Sequence, residues 1–238
     1  MNSLSFLRLA TCIACIVANH HLSAVVESTT GIEKPNKRTC RIVFTERHKD
    51  APKFAYLFDG KESRRIRLPS TNFSEVIELC TGELSITMTP TEINDSKNLP
   101  LDAPKLTLRE SVQDFYILVS SDPANSTLPL KMRIVDLADK KLKPGYTLWI
   151  NQTDLRISAK LGEKEMSVAP GGETISKDPI SISGYYKAKF HYQTNSEGKP
   201  LKITEQQWWH DTDSRHLGFI VNTGGRLPKI YFYRDFRQ

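Results

Sequence analysis

Phe115-Tyr116-Ile117-Leu118-Val119 finds its counterpart about a hundred residues later in Leu217-Gly218-Phe219-Ile220-Val221. Phe115, Ile117 and Val119 stand against Leu217, Phe219 and Val221 at one constant offset, 217 minus 115, or 102. Leu128-Pro129 matches Leu227-Pro228 at an offset of 99, so the intervening turn is shorter by three in the second copy (102 minus 99). A short run that is apolar on both faces reads as a strand covered on both sides. Two such runs at this spacing read as two copies of one β-rich unit, each of domain size.

The match extends outward. Thr81-Gly82 before Leu84, Ile86 and Met88 corresponds to Ser183-Gly184 before Tyr186, Ala188 and Phe190, again at 102 (183 minus 81). Gly60 and Gly162 share that offset, while Asp136 and Asp235 share 99 with the Leu-Pro pair. The middle fits less well. Pro69 and Pro170 stand 101 apart, and the apolar phase of Ile66 and Leu68 suits Met166 and Val168 at 100.

Short alternating segments separated by Gly, Pro, Asn and Asp are the pattern of an all-β sandwich or barrel. In the first copy the expected strands lie near 41–45, 54–58, 64–68, 75–79, 84–89, 114–120 and 130–135. The polar stretch 91–104, with two prolines, reads as a long surface loop. No window sustains the 3.6-residue apolar period of a helix. The expected fold is therefore all-β: two tandem immunoglobulin-like sandwich units over 39–140 and 141–238, with the boundary in 138–145 and Trp149 as a buried aromatic.

Arg8 precedes an apolar run over 9–18, too short to span a bilayer but suited to a secretory signal. A cleavable signal peptide is expected over 1–24 and a flexible leader over 25–38. No later stretch is apolar enough for a transmembrane helix. The expected location is therefore outside the cytoplasm, periplasmic or extracellular. Cys40 and Cys80 remain after removal of the signal, and an even pair in an exported chain is a disulfide candidate. The formal charge of +6 is spread along the chain with alternating sign, which reads as a solvated surface.

A further set of turn and strand residues is Leu148-Trp149-Ile150-Asn151-Gln152-Thr153, then Leu161-Gly162-Glu163-Lys164, then Pro170-Gly171, with Ser121-Asp122-Pro123 and Arg234-Asp235-Phe236. In these residues the chain resembles uncharacterised secreted all-β proteins of verrucomicrobial bacteria. The resemblance covers most of the chain beyond the signal. It implies a secreted β architecture and no activity or site.

The densest polar-aromatic cluster is 208–216, and nothing clearly answers to it in the first copy. Trp208 and Trp209, with His210, Arg215 and His216, are candidate ligand-binding residues, since an exposed aromatic offers a large apolar face to a sugar or peptide and Arg215 beside histidines suits an acidic group. His210, Asp211, Asp213 and His216 are candidate metal ligands. Adjacent strand residues point to opposite faces, so Trp208 and Trp209 do not share a core. No nucleophile elbow, His-Glu-x-x-His, phosphate loop or dinucleotide fingerprint is present, so no catalytic residue and no cofactor is assigned. Gly171-Gly172 and Gly224-Gly225 read as turn glycines. The basic run Arg64-Arg65 with Arg67 lacks interleaved aromatics, and nucleic acid is not an expected partner.

The expected function is a non-enzymatic exported binding or structural protein of the cell envelope, with a protein or polysaccharide partner. One alternative is a periplasmic chaperone-like subunit that caps a partner by strand addition. Another is a metal-dependent or hydrolytic enzyme using 208–216.

Overall fold

Alternating apolar and polar side chains make each short segment a strand with one face to bury, and a sheet satisfies the backbone between them. The computed structural model describes residues 37–194, 198–222 and 225–236; the expected signal and the leader up to 36 lie outside them. The first eight strands are β1 (Arg38–Glu46), β2 (Phe54–Phe58), β3 (Ser63–Arg67), β4 (Ile77–Leu79), β5 (Leu84–Thr89), β6 (Lys105–Leu108), β7 (Asp114–Ser121) and β8 (Leu130–Asp136). The second eight are β9 (Thr147–Asn151), β10 (Arg156–Leu161), β11 (Lys164–Val168), β12 (Glu173–Ser176), β13 (Gly184–Gln193), β14 (Leu201–His210), β15 (Arg215–Val221) and β16 (Lys229–Asp235).

They form four sheets, ordered β3-β2-β5-β6, β4-β1-β7-β8, β12-β9-β15-β16 and β11-β10-β13-β14. The last two orders repeat the first two strand for strand, so the duplication is complete at the level of topology. In each copy the first and seventh strands run parallel side by side, β1 with β7 and β9 with β15. Among the described residues each sandwich has eight strands. Its order, 4-1-7-8 over 3-2-5-6, differs from the 1-2-5-4 over 3-6-7 of a seven-stranded immunoglobulin domain.

Three cores define the layering. Ile42, Leu57, Met88, Phe115 and Ile117 fill the first sandwich. Trp149, Ile157, Ala188, Phe190 and Ile220 fill the second. A third core, with Val43, Tyr116 and Leu118 against Leu148, Ile150 and Phe219, lies between the two inner sheets. The sandwiches are thus stacked face to face into four layers, within one compact unit over Pro35–Gln238. Burying each such side chain contributes roughly 1.5–3 kcal/mol, so the middle core is a full stabilising layer. It also explains why 115–119 and 217–221 are apolar throughout: they are inner strands covered on both sides.

The layering corrects the phase of the repeat. Phe115, Ile117 and Val119 face the first sandwich's own core, whereas Leu217 and Phe219 face the middle core. The residues of β7 facing the middle core are Tyr116 and Leu118, so the structural offset there is 217 minus 116, or 101. A strand buried on both faces has no polar alternation to set its register, and one residue of slip exchanges its faces. The middle of the repeat is corrected the other way. Ala55 pairs Ile66 as Ile157 pairs Val168, so the counterpart of Ile66 is Val168 at 102 (168 minus 66), not Met166.

Trp149 is wholly buried as expected and donates its indole N–H to Ser176 Oγ at 2.9 Å. The 91–104 stretch is irregular apart from one 3₁₀ turn, Ser96–Asn98. The four-residue strand β6 that follows it was not expected. Arg38, assigned to the leader, belongs to the fold. It opens β1, is fully buried, and donates to the carbonyls of Val112 and Gly82 at 2.7 Å and of Arg109 at 2.9 Å. The expected Cys40–Cys80 disulfide is not formed. Cys40 pairs Ile77 across the sheet and Arg38 pairs Leu79, so the ladder holds Cys80 well along the strands from Cys40.

Candidate functional site

Register determines where 208–216 goes. β14 is the edge strand beside β13, and Tyr186 pairs Trp208 while Tyr185 pairs Trp209. Tyr186 faces the core, so Trp208 does too. It packs at 5.2 Å from Phe190 and 5.0 Å from Phe232, and stacks on Trp149 at 6.0 Å. Its counterpart in the first sandwich is Leu108, paired with Leu84. Trp208 is therefore a structural residue. Trp209 points the other way, 39% exposed, on the outer face of the outer sheet.

The two histidines come together inside. His210 and His216 are buried, with ring centroids 5.8 Å apart, and His216 stacks on Phe232 at 5.0 Å. Burial, then the neighbouring His210 and Arg234, push the His216 imidazole down to about 4. Burial also lowers His210, against the opposing pull of Asp178, whose Oδ1 lies 3.4 Å from Nε2 without hydrogen-bond geometry. Both rings are neutral at pH 7. Asp211 is committed to its own turn, accepting from Ser214 Oγ at 2.8 Å and from the Asp213 amide at 3.1 Å. Asp213 is exposed. Among the described residues no group of three or more His, Cys, Asp or Glu is gathered to hold a metal. Arg215 is drawn away from the histidines by Asp114 of the first sandwich, at 2.8 Å.

The aromatic that the segment leaves on the surface is Trp209. Tyr185, 70% exposed, meets it edge to face with ring centroids 5.0 Å apart. Below this aromatic corner the register lays out polar rows, Lys187 beside Gln207 and Lys189 beside Glu205. Glu205 accepts from Lys187 and from Lys202 at 2.8 Å, with Lys189 at 3.7 Å. These hydrogen bonds and charges pull its carboxyl down to about 2. The row continues through Lys160, which pairs Lys189 and Glu165.

The equivalent face of the first sandwich is covered over its β2–β5 part. There the outward Phe58, Thr87 and Thr89 are buried, as are Ile93 and Ala103 of the 90–104 connection. The corresponding connection of the second sandwich spans only 194–200. Tyr185 was missed at the sequence level because only the β13–β14 register sets it beside Trp209.

Comparison with known proteins finds no family model matching the chain and no curated protein similar to it.

Proposed function

We propose that the protein is an exported, non-enzymatic binding protein of the cell envelope, and that it holds a polysaccharide on the outer face of β13 and β14. The observation that carries this reading is the aromatic corner, Trp209 against Tyr185, on an uncovered sheet. A flat apolar ring held on a rigid strand stacks against the C–H face of a sugar at little entropic cost. Gln207, Lys187 and Glu205 beside it supply donors and acceptors for hydroxyls. Export is supported by Arg8 and the apolar run over 9–18.

Affinity electrophoresis in gels containing envelope polysaccharides tests the assignment. Retardation of the parent protein, lost in Trp209→Ala and in Tyr185→Ala, is the expected result. Equal retardation of the parent and both variants would remove the site.

A further inference from the structure

A cleft of about 690 Å³ opens on the first sandwich between β3 and β4, lined by Phe54, Arg64, Arg65, Arg67, Phe73 and Glu78 among others. Its volume lies in the range of ligand-binding pockets. β3 ends the outer sheet and β4 ends the inner one, so each is paired on one side only. The cleft is thus walled by two strand edges, of which that of β3 offers backbone groups for pairing.

The second copy lacks this opening. There β11 packs against β12, and only 169–172 join them. The β3–β4 connection runs over 68–76 and turns inward instead. It carries Phe73 into the middle core, where it stacks on Tyr116 at 4.5 Å. The longer connection therefore both anchors itself and holds the edges apart.

The charge at the mouth is basic on balance, with Arg64, Arg65 and Arg67 against Glu75 and Glu78. Arg65 and Arg67 are exposed on the outward face of β3, two residues apart. Among the described residues, Arg64 alone of the three arginines forms ion pairs, with Glu62 and with Asp59. Arg65 lies over the Phe54 ring at 4.3 Å. Arg64 reaches across to donate to the Glu78 carbonyl, closing one end. Glu78 itself is paired with Lys37 at 2.7 Å.

We propose that this cleft binds an extended acidic polypeptide segment, which adds to the free edge of β3 as a further strand. Strand addition takes its affinity from main-chain hydrogen bonds and its specificity from alternate side chains. A strand laid beside β3 has a period of two, so the residues opposite Arg65 and Arg67 share the outward face and must be acidic. The residue between them faces the side of Ile66 and Phe73, and is apolar. The recognised pattern is acidic–apolar–acidic. This site is independent of the polysaccharide face.

A fluorescein-labelled peptide with a Glu-Val-Glu-Val-Glu core, titrated with the full chain and read by fluorescence anisotropy, tests the proposal. Saturable binding that weakens with salt is expected. The Arg65→Gln/Arg67→Gln double variant, whose far-UV spectrum checks folding, should weaken it roughly tenfold. A peptide N-methylated at alternate amides should lose binding, because it cannot pair with the edge. Failure of the peptide to bind overturns the proposal. So does binding that is indifferent to the double variant or to N-methylation, or retention of a sulfated polysaccharide by these arginines when the peptide is not bound.

Discussion

Gly218 lies directly opposite Trp149 on the parallel strand, and the indole fills the space a side chain at 218 would take. A Cβ built there falls 2.2 Å from the indole Cε3. The same position in the first sandwich holds Ile42 opposite Ile117. Two medium side chains in one copy are thus exchanged for one large and one absent in the other. Gly218→Ala forces the buried indole to move, and a cost of about 3 kcal/mol is expected by urea denaturation. The double variant Trp149→Ile/Gly218→Ile restores the first copy's pair and should be more stable than Gly218→Ile alone.

The sandwiches are also joined by a buried polar lock. Asp235 of β16 accepts from Tyr116 Oη of β7 at 2.5 Å and from Arg41 of β1. Burial and the adjacent carboxylate keep the Tyr116 phenol protonated. Asp235→Ala leaves the Arg41 guanidinium, largely buried, without its carboxylate, and should cost about 3 kcal/mol. All three tryptophans lie in the second sandwich, so their fluorescence reports that half while far-UV circular dichroism reports both. With a shared middle core the two signals should trace one coincident urea transition in the parent. A separate fluorescence transition would contradict a joint fold.

His216 makes stability depend on pH. Its folded value is about 4 against an ordinary 6.5. Above pH 6.5 the ring is neutral in both states and there is no penalty. Between 6.5 and about 4 the unfolded chain takes up a proton that the folded chain does not, so stability falls as the medium is acidified. The full loss is about 3–4 kcal/mol at ~1.4 kcal/mol per pH unit. His210 and Arg234 face the ring and add to the effect, while Asp211 opposes it. His216→Phe keeps the stacking on Phe232 and removes two buried ring nitrogens that lack hydrogen-bond partners. Its stability should be flatter than the parent's between pH 6.5 and 5, a window in which ordinary carboxylates stay ionised. An unchanged slope would exclude His216 as the source.

The strands and the duplication were legible because alternation and turn residues are local signals. Leu84, Ile86 and Met88 show the half-buried pattern directly. The four-layer stack was legible only as a hint, the unbroken apolar character of 115–119, since a strand carries no record of what covers its second face. That same lack of alternation concealed the one-residue phase difference between β7 and β15. Within 208–216 the opposite orientation of the two tryptophans followed from strand geometry. Which one faces outward followed from the register with Tyr185 and Tyr186, and pairing between strands is not a local property. Arg215 was read with its chain neighbours, but its partner, Asp114, is a hundred residues away in sequence and belongs to the other sandwich.

The central claim, that the outer face around Trp209 and Tyr185 holds a sugar polymer, is tested most directly by the indole N–H signals in ¹H–¹⁵N spectra. The chain has three tryptophans, so three such signals serve as separate probes. Titration with an oligosaccharide that the protein retains should shift the Trp209 signal and leave those of the buried Trp149 and the core-packed Trp208 in place. Saturable binding with Trp209 unmoved would contradict the account.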